Sequence, residues 1–516
     1  MSKRKIFFNL ILLAAFAVFV LAPLLAFVIR LPNALLSLQL TEEIIARRCG
    51  LLAKSILLSA SAAFMSMTGG LICALFLWKR NNAFFSSIKK IMLLFILIPP
   101  FIHAQAWIFF MDRLNRALDF SGLPASLWVE FMCYLPLVCG LGLLGLEYVR
   151  ADSVEAAMLD CGDNDVLWRI AVPHAIPSVL AGGSLVFLLS MADYSIPSVF
   201  RYNVYALEIF AGFSATSNAD AAFAASLPVL AVTVFVAVSY LAWFKEITLE
   251  ASHRSQLNRK PKAALPLEVI LGICGAALML MQIGVPVFNL IREALSANTA
   301  LMILKNAIPE IINTLVISMA SAALSLIPGY AAAMWMHSGS KPGHAVWLTL
   351  CVLLAVPSSL TGVGLIFFWS NIWAGGLYGT AAMLVLAAVS RFSPIAAILM
   401  YVQIKSLDYE LFDVARIYAG RQVDTLKKVY LPLLLPVFSA TFLIIFALAS
   451  GELGATLMVV PAGMGTLTMK IYNYLHFGAA DTVAVLCLAQ MTIAVFAGIA
   501  GAWILKKCFN GRSETV

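Results

Sequence analysis

Three ionisable residues stand where apolar sequence should exclude them. Asp193 closes one hydrophobic run, Glu452 closes another at the equivalent place, and Arg391 lies near the centre of a third. If those runs cross a bilayer, an arginine at mid-depth costs about 2.5 to 3.5 kcal/mol and must face protein or a water-filled cavity. The chemistry on offer is electrostatic. A carboxylate from each of two places, near the end of a central helix, can line or gate a translocation path, or it can hold a hydrogen-bonded bend at the helix end. For Arg391 the choice lies between a salt bridge or carbonyl contact and direct contact with a passing solute.

A second pattern is amphipathic and occurs twice. Glu155-Ala156-Ala157-Met158-Leu159-Asp160-Cys161-Gly162 precedes Trp168-Arg169-Ile170-Ala171-Val172-Pro173, and Asp413-Val414-Ala415-Arg416-Ile417-Tyr418-Ala419-Gly420 precedes Leu426-Lys427-Lys428-Val429-Tyr430-Leu431-Pro432. Each copy reads as a short helix, a glycine that permits a sharp turn, a second short helix, and a proline opening the next run. Such a unit either protrudes as a helical knuckle or lies along the lipid interface. Nothing points to catalysis: there is no Ser/His/Asp set and no carboxylate pair. The six histidines (His103, His174, His253, His337, His344, His476) are dispersed, so no metal site is expected. The nine cysteines carry no CxxC spacing and read mostly as small buried residues, with Cys73, Cys139, Cys274, Cys351 and Cys487 inside apolar runs.

The elements that position these groups must be membrane helices. Of 516 residues, 62% are hydrophobic and 12% charged, and the mean hydropathy is +0.95. A soluble chain would carry about a quarter charged residues. The apolar residues come in runs of about 18 to 28, each long enough to cross a hydrocarbon core, whereas barrel strands would alternate over about ten residues. We place about twelve spans, near 7–29, 51–77, 91–111, 127–149, 175–191, 221–244, 267–288, 308–336, 345–369, 377–401, 433–450 and 481–505. The fold class is therefore an all-α polytopic membrane protein. Lys3 to Lys5 before the first run suggest a retained first helix rather than a signal peptide. Trp78 and Trp107, near span ends, read as interfacial anchors. Few polar residues are expected within the spans.

Comparison of the chain with itself reveals two halves. A shift of about 259 residues lays Ala62, Ser66, Gly70 and Ala74 on Ser321, Ser325, Gly329 and Ala333, two stripes of small residues that let another helix approach closely. A shift of about 258 lays Pro99 on Pro357 and Pro136 on Pro394, so any kinks there should be shared. Six spans per half make the repeats parallel. The halves are expected over 1–245 and 267–516, joined by a polar, proline-containing linker over 246–266. Most of the 34 lysines and arginines fall in alternate connections, which places both termini in the cytoplasm. The net charge of +8 is a topology signal and a match to anionic lipid headgroups, and no nucleic acid is needed to explain it.

The paired motifs resemble the signature of the permease subunits of binding-protein-dependent ABC importers, which runs EAA, three residues, Gly, nine residues, Ile-x-Leu-Pro. The resemblance covers both halves. It departs in detail: the glycine comes seven residues after Glu155 and after Asp413, the first copy is one residue short before Pro173, and Asp-Val stands for Glu-Ala in the second. The family implies the type I importer permease fold, in which this loop is a coupling helix seated in a groove of a separate ATPase. It makes Glu155, Ala156, Ala157, Gly162, Asp413, Ala415 and Gly420 the ATPase-coupling residues, and Asp193, Glu452 and Arg391 candidates for the translocation path. The partners it implies are two copies of a cytoplasmic ABC ATPase and an extracytoplasmic substrate-binding protein. ATP and Mg would bind those subunits and no cofactor this chain, which has no GxxxxGK[ST] phosphate loop.

The location implied is a bacterial inner membrane. Asp193-Tyr194-Ser195-Ile196-Pro197 and Gly451-Glu452-Leu453-Gly454-Ala455-Thr456 further resemble stretches of the iron(III), thiamine and 2-aminoethylphosphonate permeases, with iron(III) the favoured cargo. An ion-coupled secondary transporter of two six-span halves would fit the span count equally, although the 78–90 loop lacks the Gly-x-x-x-Asp-Arg pattern of such carriers.

Overall fold

The computed structural model describes residues 16–36 apart from Ala17, 41–114 apart from Asn81, 121–149, 151–244, 260–297 apart from Ala263, 299–337, 341–372, 376–405 and 431–513. Among these residues the regular structure is helical. In chain order the helices are α1 (Ala22–Leu36), α2 (Glu42–Trp78), α3 (Ala83–Leu94), α4 (Pro100–Leu114), α5 (Gly122–Glu147), α6 (Ala151–Asp160), α7 (Val172–Ala192), α8 (Ser195–Val199), α9 (Tyr205–Thr216) and α10 (Ala219–Phe244). The second half repeats the order with α11 (Leu265–Ser296), α12 (Ile308–His337), α13 (Lys341–Ala355), α14 (Ser358–Phe367), α15 (Ala381–Lys405), α16 (Leu431–Ser450), α17 (Gly454–Val459), α18 (Leu467–His476) and α19 (Ala480–Ser513).

Among the described residues, eight helices are long and apolar enough to cross a membrane singly, and two bent pairs bring that to ten. The shorter apolar stretches Ala22–Leu36 and Leu434–Ser450 stand where the first and eleventh spans are expected. The spans expected at 91–111 and 345–369 are not straight. Each breaks by 107°, between Leu97 and Pro100 in one case and between Leu354 and Ser358 in the other. Pro99 and Pro357 sit at the two breaks, where the residue before a proline is steered away from helix and the proline itself cannot complete the ladder. Pro136 and Pro394 lie inside α5 and α15, again at equivalent places.

Helix packing repeats as closely as the order of elements. α2 lies along α5, and α12 along α15. A Cβ added at Gly70 would come within 2.8 Å of Val138 and 3.0 Å of Cys139, and one added at Gly329 within 2.9 Å of Ala396 and 3.3 Å of Ala397. Val138 and Cys139 correspond to Ala396 and Ala397 at the same shift that relates the helices. All eight residues of the two small-residue stripes are buried, as close helix contact in lipid requires. The first helix of each half reaches across to the other half: α1 packs on α14, and α11 on α2 and α4. Large apolar side chains such as Phe64, Phe235, Leu280, Val316 and Phe496 project outward from this bundle.

Two sequence expectations are corrected here. Trp78 and Trp107 are each 1% exposed and belong to the core rather than to an interface. Trp107 packs edge-on against Phe110 and Trp128, at 5.6 and 5.9 Å between ring centroids. The bend at Pro99 turns α4 into the bundle, so nearness to a span end does not bring Trp107 to the surface. Of the cysteines, Cys73, Cys133, Cys139, Cys351 and Cys487 are buried, but Cys49, Cys161 and Cys274 are exposed.

Candidate functional site

The first amphipathic motif forms a hairpin of two short helices. α6 carries Glu155 and Ala157, half-buried, and Ala156, exposed. After Cys161 and Gly162 the chain re-enters helix at Asp163 and continues, through a five-residue π turn at Leu167–Ala171, into α7. Asp163–Ala192 is thus one 30-residue span rooted in the hairpin. Val149, Val154 and Val166, packed with Ala157, Met158 and Ile170, form a small core that holds the two arms together. Outside it, Leu159 is 88% exposed and Trp168 38%, an apolar surface that no described residue covers.

Gly162 corrects the sequence reading. Its backbone, at φ −67° and ψ 149°, is one that any residue adopts, and an added Cβ would meet nothing within 4 Å. The turn itself does not require glycine. The second motif, with Asp413, Ala415 and Gly420, lies outside the described residues.

The hairpin shares its side of the molecule with the end of α2 and the start of α11. The Asn164 side chain accepts from the Ala264 amide at 3.1 Å, Lys260 donates to the Trp78 carbonyl, and Lys79 pairs with Glu268. Burial, with the like charge of Lys89 adding to it, lowers the pKa of Lys260.

At the far end of α7 the three charged candidates converge. Asp193 ends α7, and its carboxylate accepts from the Ser195 amide at 3.0 Å, the Ser195 hydroxyl at 2.7 Å and the Ile196 amide at 3.2 Å, all at the start of α8. Glu452 follows α16 in the same way and accepts from the Ala455 amide at 2.8 Å, at the start of α17. Each carboxylate therefore satisfies amides that a helix start leaves without partners. The two acids occupy the hydrogen-bonded bends that the sequence allowed as one of their alternatives. Glu452 has a second duty, because its Oε2 lies 3.2 Å from Nε of Arg391 on α15. Arg391 thus has the partner its depth demands.

The two bends meet. A Cβ on Gly454 would lie 2.1 Å from the Ser358 hydroxyl and 3.5 Å from the Tyr194 ring, and one on Gly451 would lie 2.0 Å from Pro99. The breaks of both bent pairs and the bends after α7 and α16 thus converge on one junction between the halves. Phe101 and Tyr472 face each other across it at 6.0 Å. Tyr194 stacks on Phe210 at 5.0 Å, and its buried hydroxyl has no hydrogen-bond partner among the described residues.

Sequence reasoning passed over Glu130. It lies within α5, is 0% exposed, and accepts from the Ser190 hydroxyl at 2.6 Å. The signal was available, since an ionisable residue within a span is the criterion that picked out Arg391.

The described residues form a helical membrane bundle with a hairpin at one end of a central helix and a charged junction at the other, and most of the chain aligns with permease proteins of membrane transport systems. Residues 325–510 match the family described as binding-protein-dependent transport system inner membrane component. The Fe(3+)-transport system permease protein FbpB 2 of Haemophilus influenzae is 23% identical over 477 residues, covering 89% of this chain and 90% of that one. The putative ferric transport system permease protein FbpB 1 of the same organism is 24% identical over 476 residues, covering 84% and 73%. The molybdenum transport system permease protein ModB of Mycobacterium tuberculosis is 27% identical over 198 residues, 35% of this chain and 74% of its own.

Proposed function

We propose that this chain forms the whole translocation path of an ATP-driven importer, with halves at 1–245 and 267–516 joined by the linker at 246–266. The hairpin at 155–173 and its counterpart at 413–432 each engage one of two cytoplasmic ABC ATPase subunits, which bind the ATP and Mg. Both termini then lie in the cytoplasm of a bacterial cell, and the junction of Asp193, Arg391 and Glu452 faces the outer side, where a binding protein delivers the solute. The carrying observation is the continuous helix Asp163–Ala192, which begins in the hairpin and ends at the junction. A push on one end is thereby delivered to the other without an intervening loop.

Iron(III) is the favoured cargo, supported by the ferric names of two relatives that align over most of the chain. Thiamine or a phosphonate stays open through the resemblance of the 193–197 and 451–456 stretches. The test is purification of the tagged chain from its native membranes after mild crosslinking. Recovery of an ATPase crosslinked within 155–173 and 413–432, together with a binding protein, is expected. Repeated recovery of the intact chain alone, with ion-driven uptake in proteoliposomes, would overturn the proposal.

A further inference from the structure

Glu130 is tied to the junction by a relay of three buried groups. Its Oε2 accepts from Ser190 at 2.6 Å, and the Ser190 and Ser59 hydroxyls lie 2.8 Å apart. Ser190 has one hydroxyl proton and gives it to Glu130, so Ser59 must donate to Ser190. The relay therefore runs from α2 through α7 to α5 and joins three helices of the first half. It reaches α7 three residues before Asp193, the residue that caps α8 at the junction. Ser59, Ser190 and Glu130 are all at most 3% exposed, and Glu130 Oε1 is buried with no partner among the described residues.

The second half has no copy of this relay. At the repeat shift Ser59 becomes Ser318, Ser190 becomes Ala449 and Glu130 becomes Ala388. With both partners replaced by alanine, the Ser318 hydroxyl is buried and unpaired. The end of α16 is held differently: Gln490 of α19 donates to the Ser450 carbonyl at 2.8 Å and to its hydroxyl at 2.9 Å, and Arg391 of α15 pairs with Glu452. Burying a carboxyl with one of its oxygens unsatisfied is costly, and an apolar residue of similar size would avoid that cost. A carboxyl buried at that cost on α5, hydrogen-bonded to the far end of the helix that begins in the hairpin, has a mechanical reading.

We propose that Glu130 is a positioning residue of the transport cycle: through Ser190 it locks the far end of α7 to α5 and α2, and so sets the resting position of the Asp193 bend at the junction. The first half is held by this serine–carboxylate relay and the second by the Gln490 hydrogen bonds to Ser450 together with the Arg391–Glu452 ion pair, so the two halves are held by different contacts. The proposal rests on the permease reading. The wild-type chain, reconstituted in proteoliposomes with its ATPase and binding protein, tests that reading by itself, because absence of binding-protein-stimulated ATP hydrolysis would sink the reading rather than this inference.

The test of Glu130 uses the same assembly. In Glu130→Leu, amide hydrogen exchange across 187–199 is expected to rise at least fivefold in the nucleotide-free state, with 446–459 unchanged. ATP hydrolysis without binding protein should rise severalfold, so that stimulation by the binding protein falls. Glu130→Gln, which keeps an acceptor for Ser190, should restore both readouts to within about twofold of wild type, which a general packing defect would not allow. Should Glu130→Leu fail to insert, Ser190→Ala removes only the hydroxyl and should produce the same local loosening. Unchanged exchange at 187–199 in either variant, or loosening spread equally over both halves, would overturn the proposal.

Discussion

Gly451 lies against Pro99, so close that a Cβ on the glycine would fall 2.0 Å from the proline ring. The contact joins the bend after α16 in one half to the break of the bent pair in the other. Gly451→Ala should therefore separate the halves at the junction. Binding-protein-stimulated ATP hydrolysis in proteoliposomes should fall about tenfold, while the level of chain in the membrane stays near wild type. Removing the ring as well, in Gly451→Ala with Pro99→Ala, should recover part of the loss, since additivity fails for residues in direct contact. Wild-type stimulation in Gly451→Ala would show that the Gly451–Pro99 contact is not needed for coupling between the halves.

The Arg391–Glu452 pair makes a stability prediction with a built-in control. Arg391 is 26% exposed at its side chain and Glu452 5%. Arg391→Ala leaves the more buried partner without its counter-charge and should cost on the order of 2 to 3 kcal/mol, less than for a fully enclosed pair because one end is partly open. Thermal unfolding in detergent reads this as a lowered midpoint. Arg391→Ala with Glu452→Gln should be the more stable of the two variants, because no uncompensated charge remains. A double variant less stable than the single one would mean that the pair holds the fold chiefly through hydrogen bonds to the α17 start.

Much of this architecture is legible in the chain because the repeat writes it twice. Pro99 with Pro357 mark the two breaks, and the stripes ending at Ala74 and Ala333 mark two close helix contacts. What proline position alone does not convey is the 107° size of the bends, and with it the burial of Trp107. Asp193 and Glu452 were findable as carboxylates at span ends, but their hydrogen bonds depend on the short helices α8 and α17 that follow. Glu130 was legible by the same criterion that marks Arg391, an ionisable residue inside a span, and neither has a charged counterpart in the other half. Gly162 was identified as part of a motif and explained wrongly, since its backbone angles and open surroundings ask nothing of glycine within this chain.

That last point yields a prediction separating fold from partner. If Gly162 is constrained by nothing intramolecular, Gly162→Ala should leave the thermal midpoint of the isolated chain within about 1 °C of wild type, surface changes of this kind being nearly neutral. A bulkier replacement, Gly162→Leu, should reduce copurification of the ATPase at least fivefold while the chain remains inserted. Gly420→Leu should do the same at the second motif. Full ATPase recovery in a chain carrying both leucines would remove the coupling role from these positions.

Two glycines on one helix give the sharpest check of the packing. In α2, Gly50 has nothing within 4 Å of an added Cβ, whereas at Gly70 the added atom meets Val138 at 2.8 Å and the Cys139 backbone at 3.0 Å. Gly→Ala in an open helix interior gains about 1 kcal/mol through helix propensity, so Gly50→Ala should raise the unfolding midpoint. Gly70→Ala carries the same propensity gain but forces α2 away from α5, and overpacking of this kind costs about 1 to 3 kcal/mol. It should lower the midpoint, and Gly329→Ala should lower it similarly by separating α12 from α15. Paired measurements in one detergent decide the matter: if Gly70→Ala and Gly50→Ala move the midpoint in the same direction, α2 and α5 do not touch along the stripe of small residues.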